Sequence, residues 1–339
     1  MSAAPHLALL FSAVAAFLAA APSPADGADD ADGADGADPA AKRFTVAFLD
    51  LSEKLDEPPA PLTPKRVEIA ARELSAASAD AVILSGLASE KDRDAMRKAL
   101  GPAYVFAATA AGPAPNGLLA LFAKTKPGKC EIVSGKKYNI KKNTPVPVGN
   151  DFILATFDIA GYKLEILAAL LKDHSKHPVH SQTDMRRYEA RELRKVVTAI
   201  LRKNPEANIL VVGNMNDTCG KSPLMALYSR RSKLKRRLFD LRPVDHLNVA
   251  WTAVDEKKDE YERYDYLLAS SGLVPEIITS SLTIERDKEW RGASAHRPLR
   301  VAISCGDTPP WSDKRLEKEF PYSIRYADFP VGRKDASEE

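Results

Sequence analysis

Short apolar runs of strand length recur along almost the whole chain, and they constrain the fold more than any other feature. They lie at residues 44–51, 80–87, 104–109, 118–124, 152–158, 162–171, 209–212, 264–269 and 298–304. Near-continuous runs of this kind are the pattern of strands buried within a packed protein. Turn signals separate several of them, such as Ala160-Gly161 between two adjacent strands and a Gly/Pro/Asn stretch before residue 118. Helical patterns intervene. Thr63 caps a predicted helix with Pro64 at its first position, and Val67, Ala70, Ala71 and Leu74 share one face. Residues 183–203 predict a long helix with Met185, Ala190, Leu193, Val196, Val197 and Ile200 at its apolar positions, and residues 223–238 predict a very basic one. No internal repeat is visible. Many strands with interspersed helices predict an α/β fold of two packed sheets with helices outside.

The chain's ends differ from this middle. Residues 7–21 are apolar and rich in Ala and Leu, too short to span a bilayer as a helix, and small residues follow at Ala19, Ala21, Ser23 and Ala25. The expectation is a signal peptide over residues 1–21 and a periplasmic or secreted protein, although the stretch before the apolar run has no Lys or Arg. No later segment is apolar for long enough to cross a membrane as a helix. Residues 22–41 form an acidic low-complexity tract of Ala, Asp, Gly and Pro that reads as a disordered linker. The folded domain is placed at 42–306, with a polar, peripheral extension at 307–339.

Charge is distributed unevenly. The chain has 49 Lys and Arg against 46 Asp and Glu, and six of the Asp fall in residues 1–41, which contain no Lys or Arg. The remainder is therefore basic by nine charges, a surplus that attracts anionic partners such as phosphates, nucleic acid or anionic surfaces. Cys130, Cys219 and Cys305 show no C-x-x-C spacing, which argues against a structural zinc site; they read as three unpaired thiols, with one bridged pair as the alternative.

Four ordered segments resemble strand ends of the endonuclease/exonuclease/phosphatase family: ADAVILSGL at 79–87, VVGNMND at 211–217, YDYLLAS at 264–270 and SAHRPL at 294–299. GLLALFAK at 117–124, LLKDH at 170–174 and RRYEAREL at 186–193 are weaker matches between them. The resemblance covers residues 43–304. It implies a four-layer α/β fold, a two-sheet β-sandwich flanked by helices. It also implies metal-dependent phosphoester hydrolysis, in which carboxylates hold a divalent ion and a His paired with a carboxylate activates water.

The chain departs from that plan where the chemistry is concentrated. Gly86 stands where the resemblance implies a metal-binding Glu, and Leu170 where it implies a His. Asn214 replaces the Asp of Gly-Asp-x-Asn, and Ala295 replaces the Asp of Ser-Asp-His. Asn216, Asp265 and His296 are retained, and Asp50 stands in place of an Asn as a candidate metal carboxylate. Glycine has no side-chain ligand, leucine moves no proton, and Ala295 is expected to leave His296 without its orienting carboxylate. Asp50, Asp265 and His296 read either as a reduced site, with Asn214 and Asn216 as neutral hydrogen-bonding neighbours, or, for Asp265 and His296, as a buried polar pair supporting the strand ends. The departures imply that no cofactor is bound; an active site would take Mg²⁺ or Mn²⁺.

Two further constellations have rival readings. His174, His177 and His180 form an H-x-x-H-x-x-H series, readable as a relocated transition-metal site or as a solvated loop broken by Pro178. Arg230, Arg231, Lys233, Lys235, Arg236 and Arg237 form a dense basic run, readable as a contact for phosphate or nucleic acid or as a solvated helix face. No aromatic residue is interleaved there, which argues against base stacking. The leading expectation is a catalytically impaired domain, a pseudoenzyme that binds a phosphorylated or other anionic ligand or a partner. The alternatives are an active phosphoesterase or nuclease with a rearranged site, and a structural adaptor without a ligand.

Overall fold

The structure, a computed structural model, describes residues 42–320 apart from 56, 112–116, 142–143, 230–232 and 286–287. The expected signal peptide and acidic linker therefore lie outside the described residues, as do Arg230 and Arg231.

In chain order the strands are β1 Lys42–Asp50, β2 Ala81–Leu87, β3 Phe106–Ala110, β4 Leu118–Ala123, β5 Lys129–Val133, β6 Lys137–Asn139, β7 Pro145–Pro147, β8 Phe152–Ile159 and β9 Tyr162–Leu170. They continue with β10 Asn208–Asn214, β11 Leu238–Asp240, β12 Ala253–Asp255, β13 Glu260–Glu262, β14 Asp265–Ser270, β15 Ile277–Ile284 and β16 Leu299–Cys305. The helices are α1 Pro64–Ala76, α2 Glu90–Leu100, α3 Gln182–Lys203, α4 Ser222–Tyr228 and α5 Asp313–Glu319. Twelve strands form two six-stranded sheets, ordered β15-β16-β1-β2-β4-β3 and β11-β14-β10-β9-β8-β5. The remaining four form two hairpins, β6-β7 and β12-β13.

Three apolar layers hold the domain together. Phe44, Val46, Phe48, Ile83 and Leu121 of the first sheet meet Phe157, Ile166, Val212 and Leu267 of the second. On the first sheet's outer face, Leu49, Val82 and Phe122 pack against Ile69 and Leu74 of α1 and Met96 of α2. On the second sheet's outer face, Leu167 and Val211 pack under Leu193 and Val197 of α3 and Leu224 of α4. Strands covered on both faces need apolar residues at successive positions, and this is the reason for the near-continuous runs in the sequence.

The basic stretch differs from its predicted form. The helix over 223–238 stops at Tyr228, where Ser229 turns left-handed with φ 61°, and a 3-10 turn at Leu234–Arg236 leads into β11. Lys233, Lys235 and Arg236 are exposed on that turn, so they form no continuous helix face. Residues 307–320 also differ from the peripheral extension expected. Leu316 is fully buried, and Trp311 and Phe320 pack against the inter-sheet core.

One buried carboxyl joins three segments away from the loops described below. Glu276 accepts a hydrogen bond from the Tyr162 hydroxyl at the start of β9 and another from the Thr308 amide at 3.2 Å. Burial pushes Glu276 up to about 7, against the pull of those two donors and with Asp307 adding to the rise. A carboxyl raised in the folded state contributes stability that is fully present below its unfolded value of 4.5 and is lost as pH rises through about 7. Glu276→Gln is expected to flatten the fall in melting temperature between weakly acidic and weakly alkaline pH. An unchanged slope would assign that fall to other groups.

Candidate functional site

Strand direction brings the candidate residues together. β1 runs parallel to β2 and β9 runs parallel to β10, with Asp50 opposite Ser85 and Asn214 opposite Leu170. β14 runs antiparallel to β10 and begins at Asp265, directly opposite Asn214. A bridge from Ala253 to His296 brings the segment before β16 to the same end. A close backbone approach helps to fix this end: a Cβ on Gly213, whose φ is 152°, would lie 1.8 Å from the Ala169 carbonyl oxygen. Only glycine fits at that point.

At the centre His296 lies between two carboxylates. Its Nδ1 is 2.8 Å from Asp265 Oδ2, and its Nε2 is 3.9 Å from Asp50 Oδ1. All three side chains are essentially inaccessible. The orienting carboxylate of His296 is therefore Asp265. This corrects the expectation that Ala295, lacking a carboxylate, leaves the imidazole unheld: the segment Thr252–Ala253, bonded to Asp265 on one side and bridged to His296 on the other, brings the two together. Burial alone would discharge the imidazole, but Asp265 and Asp50 outweigh it and raise His296 to about 9. Burial likewise acts to raise Asp50. The charge of His296 and the donors Ser52 and Ser85 overcome it, so Asp50 lies below the usual carboxylate range. Asp265 is raised by burial, which His296 only partly offsets.

Asp50 is saturated by the protein. Its Oδ1 accepts the Ser52 amide at 2.8 Å, and its Oδ2 accepts the Ser85 hydroxyl at 2.6 Å and the Asn214 amide at 3.1 Å. Asn214 Oδ1 in turn accepts the Asn216 amide at 2.8 Å, and Asn216 donates its side-chain amide to the Leu171 carbonyl at 2.8 Å. Ser294 donates to the Asp50 carbonyl at 2.5 Å and accepts the His296 amide at 2.9 Å. Thr252 accepts the Asp265 amide at 3.0 Å. These hydroxyls were not among the candidate residues of the sequence. Ser85 could have been found from the parallel register that sets it opposite Asp50.

The position of the implied metal ligand is closed. Gly86 has φ 68°, and a Cβ built there would lie 2.6 Å from both Asp50 Oδ1 and Ser52 Oγ. Ser52, Leu55, Glu57, Pro59, Leu170, Asp173, Asn214, Asn216 and His296 line a cavity of about 20 Å³, roughly the room of one water molecule. Of its two lining carboxylates, Glu57 is held by Lys54, and Asp173 by Lys172 and by the amide and hydroxyl of Ser175. Among the described residues no group of three or more His, Cys, Asp or Glu side chains is arranged to hold a metal ion. These residues do not fit a divalent cation. The carboxylate that would face it already has three donors and an imidazolium, and the second carboxylate position carries no side chain.

Other candidates lie apart. His177 Nδ1 accepts the amides of Val179 and His180 at 3.2 and 3.1 Å, and the His177 and His180 rings stack at 5.3 Å. His174 packs on Tyr264 at 5.0 Å. The three rings thus form no common ligand set. Lys233, Lys235, Arg236 and Arg237 precede β11, whose first residue pairs with Ser270, the end of β14 remote from Asp265.

No family model matches the sequence, and no curated protein matches it. Solved structures do. Truncated TDP2 from Caenorhabditis elegans shares 14% identity with a TM-score of 0.54, covering 77% of this chain and 98% of that one. An endonuclease/exonuclease/phosphatase from Bacteroides vulgatus shares 15% identity with a TM-score of 0.53, covering 78% and 100%. D. rerio TDP2 complexed with single-strand DNA product shares 14% identity with a TM-score of 0.52, covering 77% and 98%. The chain has the endonuclease/exonuclease/phosphatase fold. Its two six-stranded sheets and outer helices match the four-layer architecture the sequence resemblance implies. Within this fold, Asp50, Asn214, Asn216, Asp265 and His296 sit together where two parallel strand pairs end.

Proposed function

We propose that this chain is a pseudoenzyme of the endonuclease/exonuclease/phosphatase fold that binds an anionic ligand without hydrolysing it. The observation that carries this reading is the buried Asp50–His296–Asp265 cluster, with about 20 Å³ left beside it. An imidazole raised to about 9 is already protonated at neutral pH and accepts no proton from water. A phosphoryl group with its metal needs far more room than one water. The basic surplus of residues 42–339 supports the anionic ligand. The DNA product held by D. rerio TDP2 shows that a protein of this fold takes a polyanion. Export through residues 1–21 belongs to the same reading and rests on the sequence pattern.

A metal-dependent phosphoesterase is the second reading, favoured by the 2.8 Å pairing of His296 with Asp265. The two separate in an assay of phosphomonoesters, phosphodiesters and single-stranded DNA with Mg²⁺ or Mn²⁺. Turnover at background, unchanged in His296→Ala, is the expected result. Robust turnover that His296→Ala abolishes would replace the pseudoenzyme reading with the enzyme.

A further inference from the structure

Part of the basic surplus lies along α3. Arg187, Arg191 and Lys195 lie four residues apart on α3, so they form one stripe with a step of about 6 Å. The Tyr188 ring lies under the guanidinium groups of both Arg187 and Arg191, 5.2 and 4.9 Å from its centroid. Tyr138 of β6 stacks on the same ring at 5.6 Å with an interplanar angle of 9°. This stack docks the β6-β7 hairpin on α3 and brings Lys136 into the groove that Lys195 also lines. A groove of about 840 Å³ continues from there along α3, lined by Lys136, Lys195, Lys129 and Lys163.

The carboxylates on this face are weak competitors. Asp184 holds Arg187 at 2.8 Å, and Glu192 holds Lys195 at 2.6 Å. At least one partner in each pair is exposed, and such pairs contribute roughly 0–1 kcal/mol. Arg191, Lys136, Lys137 and Lys163 make no ion pair among the described residues. Glu131, which holds Lys129 at 3.0 Å, and Glu165, Glu206, Glu276 and Asp307 also line the groove, and they confine an anion to Lys136 and the Arg187–Arg191–Lys195 stripe.

The geometry points to a phosphodiester strand bound through its phosphates along α3, away from the Asp50–His296 cluster. A linear row of cations along a helix, bordered by a groove, suits a strand. A flat bilayer surface would call for exposed apolar residues, and the exposed large hydrophobics, Val105, Val179, Leu247 and Tyr261, are not part of this face. Tyr138 and Tyr188 are already stacked on each other, so no ring is offered to a base and recognition is independent of sequence. This inference rests on the anionic-ligand reading and assigns its site to α3.

The test is fluorescence anisotropy of the full chain with a labelled single-stranded oligodeoxynucleotide across a salt series. The expected result is binding whose logarithmic salt slope is about −0.7 per phosphate contacted. The triple variant R187Q/R191Q/K195Q should lose at least tenfold in affinity and flatten the slope by about 2. K136Q/K137Q, off the helix, should weaken binding in the same direction. K233Q/K235Q/R236Q should leave it unchanged, and melting curves verify that each variant is folded. Binding lost only in the last variant would overturn the α3 site and leave the anionic-ligand reading standing. Binding to anionic vesicles but not to the oligonucleotide would overturn the strand in favour of a lipid surface. No binding to either would sink both readings. Hydrolysis of the bound strand would remove the pseudoenzyme reading but not the α3 site.

Discussion

Asp50→Ala is expected to destabilise the domain by about 3–5 kcal/mol, the range found when one partner of a buried ion pair is removed. The carboxylate is fully buried and satisfies the Ser85 hydroxyl, the Asn214 amide and the Ser52 amide. Alanine leaves all three donors without their acceptor in a site with room for about one water. It also leaves His296 with Asp265 alone. His296→Ala acts from the other side, removing the cation between two carboxylates. Urea unfolding of both single variants and the double variant measures this. Because the residues form one cluster, the double variant should lose less than the two single losses added together. Additive losses would show that the pair does not act as a unit.

The same cluster sets a pH window. His296 is raised from 6.5 to about 9, so its contribution is fully present below 6.5 and is lost as pH rises through about 9. Asp50 is lowered from 3.8, so its contribution is present above 3.8 and is lost as pH falls through its lower folded value. Asp265 is raised, so its contribution is present below 3.8 and declines above it. The Asp50–His296 contribution is therefore fully present between 3.8 and 6.5 and is lost toward about 9 on the alkaline side and toward the lower folded value of Asp50 on the acid side.

Gly86→Glu is the second large effect expected. It restores the carboxylate implied by the sequence resemblance, yet the expected result is lost stability and no gain in Mg²⁺ affinity. At φ 68° a non-glycine residue is strained, and its Cβ would sit 2.6 Å from Asp50 Oδ1. Left-handed strain and overpacking together cost about 2–4 kcal/mol. A second carboxylate would also enter the field of Asp50 with no cation added. Combining it with Asn214→Asp, Ala295→Asp and Leu170→His does not relieve the collision, because the atoms in the way belong to Asp50 and Ser52. Calorimetric titration with Mg²⁺ alongside thermal melting checks this. A variant as stable as the parent that binds Mg²⁺ tightly would contradict the closed-site account.

Most strands of both sheets were legible because burial on two faces demands unbroken apolar runs, as in residues 80–87 and 209–212; β5, β11 and β15, at sheet edges, were not. The helix α3 was legible from its apolar stripe. The helix α2 was not, because only Asp92, Met96 and Leu100 of its residues are buried, too few to show a period. The break at Ser229 has no local signal, since serine carries no preference that announces a left-handed turn. Within the site, the residue types at strand ends and the Asp265–His296 pair were readable, but the hydroxyls of Ser52, Ser85, Thr252 and Ser294 around them were not. Asp265 lies 31 residues from His296, and the segment at Thr252–Ala253 joins them. The stripe of Arg187, Arg191 and Lys195 could have been read from its four-residue spacing. The denser run at 230–237 drew attention because charge density in sequence is more visible than charge alignment in space.

The proton on His296 is the most direct measure of the central claim, that an imidazolium and two carboxylates have closed the site. Following the His296 ring by ¹H–¹⁵N NMR across pH, with and without millimolar Mg²⁺, reads it. The account predicts titration near 9, unmoved by the metal. Titration near 6.5, or a fall in the titration point when Mg²⁺ is added, would mean that the site is open and the cation is welcome, and would contradict it.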